Sequence, residues 1–131
     1  MSFWHIKDYA PDPPENPIRD WYEGQEDEVQ LDFDYALHTL AETYDWTTVK
    51  EFRALKGRYL GLYEVAIDVK SYYWKKKRYF RPIGVWQPDS SDFIILLVCE
   101  KKAGMYTPPL SRALEMKSQW EKGGTIYDRE V

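Results

Sequence analysis

The chain has 131 residues, 44% of them hydrophobic and 17% aromatic, with 18 basic against 22 acidic side chains and one cysteine. That length suits a single domain with a real core, and a lone cysteine excludes an intrachain disulfide and fits a reducing compartment. No apolar run approaches a membrane span and the start MSFWHIKDYAPDPP lacks the apolar segment of a signal peptide, so the expectation is a cytoplasmic protein with no membrane partner.

The net charge of −4 hides a division along the chain: residues 1–49 hold two bases against twelve acids, and residues 50–131 hold sixteen bases against ten acids. Within the second part, residues 50–81 carry ten bases and only Glu51, Glu64 and Asp68 as acids, which concentrates positive field there.

Residues 1–16, with Pro11, Pro13 and Pro14 and no clear periodicity, predict an extended N-terminal arm. PIRDWYEG (17–24) predicts a short first strand. From Glu26 onward, Val29, Phe33, Ala36, Leu37, Leu40, Ala41 and Tyr44 recur at helical spacing with acids between them, an amphipathic helix with an acidic outer face. Asp45 or Thr47 caps a second helix bearing Val49, Phe52 and Leu55 and stopped by Gly57, and the two helices form an antiparallel hairpin.

Residues 60–69, 78–86 and 93–101 then predict three consecutive antiparallel strands. In the first, Tyr63, Val65, Ile67 and Val69 alternate against Glu64, Ala66 and Asp68. Pro82 removes a ladder donor from the second, so a bulge or an outward-facing position is expected there. In the third, Cys99 shares a face with Phe93, Ile95 and Leu97, as a buried thiol rather than a nucleophile. Thr107 with Pro108 and Pro109 opens a last helix that turns Leu110, Ala113, Leu114 and Trp120 to the sheet, and Gly123 with Gly124 ends it before a polar tail (123–131). The order β-α-α-β-β-β-α makes an α+β domain over residues 17–122, its helices packed on an antiparallel meander.

Few chemistries fit these residues. His5 and His38 have no partner at metal-ligand spacing, no glycine-lysine phosphate loop occurs, and no serine triad is supported, so no metal or organic cofactor is implied. The carboxylates of the first long helix read as a solvated face. What remains is a set of cations at strand ends interleaved with aromatics: Lys75, Lys76, Lys77, Arg78, Arg81, Lys101, Lys102, Tyr106 and Arg112. Such a cluster suits RNA, whose 2′-hydroxyl is its own nucleophile, because the protein need only align it and stabilise developing negative charge. Ordinary anion binding fits the same residues.

LKGRYLGLYEVAI, RYFRPIGVW, FIILLVCEKK and TPPLSRALEMKSQW, in this order after a helical hairpin, resemble the RelE/HigB superfamily of toxins from type II toxin-antitoxin systems, in its phage-derived branch, over roughly residues 17–122. The resemblance implies a RelE-like fold and a metal-independent mRNA endonuclease, an mRNA interferase acting on free or ribosome-bound mRNA and neutralised by a cognate antitoxin protein. It implies Arg81 at the scissile phosphate, Lys102, with Lys101, as the cation after the fourth strand, and Tyr106 as a catalytic or base-stacking tyrosine. Lys75, Lys76, Lys77, Arg78, Lys101 and Arg112 would then bind RNA. Glu64 and Ala66 stand where active members often place cations, which keeps open a non-catalytic member of the fold that binds RNA or a protein partner.

Overall fold

The computed structural model describes residues 2–129. It is a mixed α+β domain whose strands are β1 (His5–Ala10), β2 (Phe52–Ala54), β3 (Tyr63–Val65), β4 (Ile67–Val69), β5 (Arg78–Gln87), β6 (Asp92–Lys102), β7 (Met105–Thr107) and β8 (Thr125–Asp128). Its helices are α1 (Pro17–Glu23), α2 (Asp27–Ala41) and α3 (Leu110–Glu121). One sheet runs in the order β2-β3-β5-β6-β1-β8, with β4 also on β5 and β7 also on β6. Among the described residues no helix is long and apolar enough to cross a membrane.

The N-terminal segment is part of this sheet rather than an arm. β1 lies parallel to β6, with Ile6 opposite Phe93 and Asp8 opposite Ile95. Trp4 and Ile6 alternate with His5 and Lys7, which buries the two apolar side chains in the core. The segment 17–24 is helical, not a strand. Asn16 caps it, its side-chain oxygen accepting from the Arg19 amide at 3.1 Å, and Pro17 occupies the first turn where its missing N–H costs nothing. The helical pair is therefore α1 with α2.

The second helix expected from Asp45 to Gly57 does not form. Asp45 does cap, accepting from the Thr47 amide at 3.0 Å, but the turn it opens is a single 3-10 turn, Trp46–Thr48. The β-branched Thr47, Thr48 and Val49 favour extended backbone after it. Phe52 enters β2 and stacks on Tyr63 of β3 at 5.1 Å, a cross-strand aromatic pair that helical backbone would forgo.

The expected first meander strand is split into β3 and β4. Tyr63 and Glu64 pair with Gly84 and Ile83, and Ile67 to Val69 pair with Phe80 to Arg78, in one continuous register. The interruption falls opposite Arg81 and Pro82, where proline offers no donor, and the Ala66 amide turns instead to the Glu51 carbonyl at 2.8 Å. The alternation itself holds: Tyr63, Val65, Ile67 and Val69 pack in the core with α2 while Glu64 and Asp68 point to the other face.

The bulge lies beyond Pro82. Ile83 pairs with Leu97 and Gly84 with Ile95, so Leu96 has no partner on β5. This extra residue reverses the alternation of β6. Phe93 and Ile95 pack beneath α2, and Cys99 joins Ile83, Leu62 and Ala113 beneath α3 instead of sharing their face. Ala113 of α3 is buried there, with Leu110, Leu114 and Trp120 packed around it. The segment after α3 is not a free tail: β8 pairs antiparallel with β1, Tyr127 opposite Asp8, and Gly124 lets the chain pass close to the Tyr9 ring.

Gly84 sits at the bulge, where a Cβ would collide with the Ile94 carbonyl oxygen and the Phe93 ring. Gly84→Ala is expected to destabilise the domain by about 1–3 kcal/mol, read as a shift of the urea midpoint, because the obstruction is backbone that cannot rotate away.

Candidate functional site

The strand-end residues separate onto two faces of the sheet. Alternation along β3, β4 and β5 brings Glu64, Asp68 and Arg81 together on the α3 side. There Arg81 Nη1 lies 3.0 Å from Asp68 Oδ1 and donates to the Phe80 carbonyl at 2.8 Å, and Arg81 Nε lies 3.1 Å from Glu64 Oε2 without hydrogen-bond alignment. The Tyr106 hydroxyl, carried in by β7, donates to Glu64 Oε1 at 2.7 Å. Lys101 Nζ is 5.2 Å from the centre of the Tyr106 ring, a cation-π contact at the edge of the group.

Arg81 is thus the centre of a buried ion cluster, its side chain only 7% exposed. A guanidinium so little exposed, bonded to Asp68 and a carbonyl and set against the Glu64 carboxylate, does not face a phosphate. Burial, then the hydrogen bond to Glu64 and that carboxylate's charge, hold the Tyr106 hydroxyl well above the usual phenol range, so it stays protonated. Cys99, opposite Arg81 on β6, contacts the Pro108 carbonyl through Sγ at 3.1 Å, and burial with the Glu64 charge pushes its thiol up to about 12.

Lys102 does not join this group. It follows Lys101 and faces the other way, with Nζ 3.9 Å from Glu100 Oε2 and its side chain 72% exposed. On that α2 side Arg78 makes a two-pronged bond to Glu100 (2.8 and 2.6 Å) and stacks over Trp74 and Phe80, 5.0 and 4.9 Å from the ring centres. The hydrogen bond from Arg78 holds the Glu100 carboxyl below its ordinary value. Arg112 is exposed on the first turn of α3, its Nε 3.8 Å from Glu115. Arg81, Lys102 and Tyr106 therefore do not converge on one point.

The exposed chemistry is in the turn between β4 and β5. Ser71 is buried and anchors it: its Oγ accepts from the Tyr73 amide at 3.2 Å and its carbonyl accepts from the Trp74 amide at 3.2 Å. Trp74 packs down against the core under Arg78. Above this base Tyr72 and Tyr73 stand 95% and 82% exposed, edge to face at 5.5 Å, followed by the exposed Lys75, Lys76 and Lys77. The two tyrosines were not among the residues expected to bind, although their position beside three lysines in SYYWKKKR was the available signal. Glu64 and Asp68, the residues that neutralise Arg81, were visible as alternate positions of one strand.

No family model matches the sequence, and no curated protein and no solved structure matches it.

Two outcomes follow from the buried cluster. Arg81→Ala should cost about 3–5 kcal/mol in urea unfolding, because Glu64 would be left charged and unpaired in the interior, whereas Lys102→Ala should leave the midpoint unchanged. Stability should also fall as pH rises from about 9 toward 12: the unfolded Cys99 thiol ionises near 9 while the native one holds its proton to about 12, so in this window the unfolded chain binds fewer protons. Tyr106 acts with the same sign. Urea midpoints at pH 8, 10 and 11 measure the decline.

Proposed function

We propose that this chain is a non-catalytic RNA-binding protein of the RelE/HigB type that engages single-stranded RNA through the turn between β4 and β5. The observation that carries the proposal is the anchored turn with Tyr72 and Tyr73 almost fully exposed beside Lys75, Lys76 and Lys77. Aromatic faces that stack on bases, combined with cations that follow the phosphates, are the two components of sequence-tolerant single-strand binding. Two adjacent tyrosines exposed to water bury no apolar surface of their own fold, so their rings are available to a ligand.

What supports the RelE/HigB reading is that a first strand (β1), two helices (α1 and α2), the antiparallel strands β3/β4, β5 and β6 and a helix (α3) follow in that order, with β2, β7 and β8 as additional strands of the same sheet. What separates the present chain from a nuclease of that type is Arg81. Phosphate stabilisation in a transition state requires a donor aimed at the reacting oxygens, and the Arg81 guanidinium is already occupied by Glu64, Asp68 and the Phe80 carbonyl. Lys102 faces the opposite side of the sheet. Binding through the turn needs neither residue.

Fluorescence anisotropy with a labelled single-stranded RNA 12-mer tests the assignment. Tyr72→Ala and Tyr73→Ala should each weaken binding on the order of tenfold, the loss of one stacked base. Changing Lys75, Lys76 and Lys77 together to Gln should weaken it further and flatten the dependence of log affinity on log salt by about two, for three phosphate contacts on a single strand. Undetectable affinity at low salt, or affinity indifferent to all five changes, would refute RNA binding. Cleavage of the bound RNA in the presence of chelator would refute the non-catalytic assignment alone.

A further inference from the structure

The outer surface of α2 is the counterpart of the basic turn. The helix carries four carboxylates and no lysine or arginine. Its crest is formed by Leu31 and Tyr35, one helical turn apart and 68% and 74% exposed, whereas Val29, Phe33, Leu37 and Leu40 of the same helix are buried. Asp27 and Glu28 lie one turn before Leu31, and Asp32 lies one turn before Tyr35, so carboxylates border the apolar pair. Adjacent large apolar side chains left in water and rimmed by charge have the composition of an interaction surface.

The same composition with the opposite charge occurs at the turn, in Tyr72 and Tyr73 with Lys75, Lys76 and Lys77. Among the described residues Asp27, Glu28 and Asp32 form no ion pair within the chain, and neither do the three lysines. The two patches adjoin: Arg78, the residue after the lysines, feels the charge of Glu26, the residue before α2. At a rise of about 1.5 Å per residue, Leu31 stands about 8 Å and Tyr35 about 14 Å along the helix axis from Glu26.

Adjoining patches of opposite charge are self-complementary: a two-fold axis between them places the turn of each copy on α2 of the other and makes the same contact twice. We infer that the chain pairs with a second copy of itself in this way. Tyr72 and Tyr73 of one copy cover Leu31 and Tyr35 of the other, while Lys75, Lys76 and Lys77 meet Asp27, Glu28 and Asp32. A small contact held by exposed charges gives a weak dimer that salt dissociates. It also covers the two tyrosines assigned above to RNA. On that reading the acidic helix stands in for the phosphate backbone, and the dimer and RNA exclude one another.

Sedimentation equilibrium of the full chain without RNA tests the pairing apart from the RNA assignment. A monomer-dimer equilibrium is expected at low salt, with a dissociation constant on the order of 10 µM, and monomer alone at about 0.5 M salt, where exposed charges are screened within a few ångströms. Asp27→Lys with Asp32→Lys should abolish the dimer, as should Lys75→Glu, Lys76→Glu and Lys77→Glu together. An equimolar mixture of these two variants should restore it, because each altered patch then meets its opposite. Leu31→Ser with Tyr35→Ser, which changes no charge, should raise the dissociation constant about tenfold. All of these residues are exposed, and far-UV circular dichroism checks that each variant is folded. A single-stranded RNA 12-mer in excess should return the dimer to monomer. Monomer alone at low salt, a dimer that persists at high salt or in either charge variant, a mixture that stays monomeric, a dimer indifferent to the loss of Leu31 and Tyr35, or RNA bound by an intact dimer would overturn the proposal. Failure of the chain to bind RNA overturns the RNA assignment alone.

Discussion

The unpaired Leu96 in the β5–β6 ladder decides which face of the central sheet every later side chain of β6 occupies. A strand alternates with a period of two, so one inserted residue moves all later side chains to the opposite face. Before the bulge, Phe93 and Ile95 serve the core beneath α2; after it, Val98 returns to that core and Cys99 goes to the other. The same shift sends Glu100 and Lys102 to the Arg78 side and Lys101 to the Tyr106 side. Gly84 permits the arrangement, since only a residue without a side chain passes so close to the Ile94 carbonyl.

The cations of the basic half consequently have different fates. Arg81 falls on a face roofed by β7 and α3, and a buried guanidinium is tolerable only with its charge matched and its donors engaged. Glu64 and Asp68 supply the charge, the Phe80 carbonyl takes a donor, and Tyr106 uses the remaining oxygen of Glu64. Lys75, Lys76 and Lys77 are outside that enclosure, on a turn held from below by Ser71 and Trp74. Burial makes one group of cations structural and leaves the other accessible to an anionic ligand.

The meander was legible in the sequence because period-two alternation and the turn residues agree there, as was α2 from its helical spacing. β1 was not, because Lys7 and Asp8 sit within it and the prolines that follow resemble a linker; its status as an interior strand depends on β6 and β8, whose paired residues lie more than eighty positions away. α1 carried its signal in the Asn16-Pro17 cap, overridden by a strand assignment to apolar residues that α1 in fact buries at Ile18. Val49, Phe52 and Leu55 have helical spacing, yet the aromatic contacts of Phe52 with Trp86 and Phe93 come from distant parts of the chain and favour a strand. The basic cluster was visible as composition, but its division between faces depended on a bulge that no local residue pattern announces.

The two buried arginines show why position along the chain is a poor guide to role. Arg81 is in the middle of β5 and Arg129 lies just beyond β8, yet each is met by a carboxylate from a neighbouring strand and by an aromatic ring. They also share an incomplete fork. Glu64 has one oxygen 3.1 Å from Arg81 Nε without hydrogen-bond alignment and the other bonded to Tyr106. Asp8 receives Arg129 and Asn16 on one oxygen and nothing from the described residues on the other. In each pair one carboxylate oxygen and the arginine Nε make no hydrogen bond among the described residues, so both pairs are held by charge and by one well-formed branch rather than by a complete two-pronged fork.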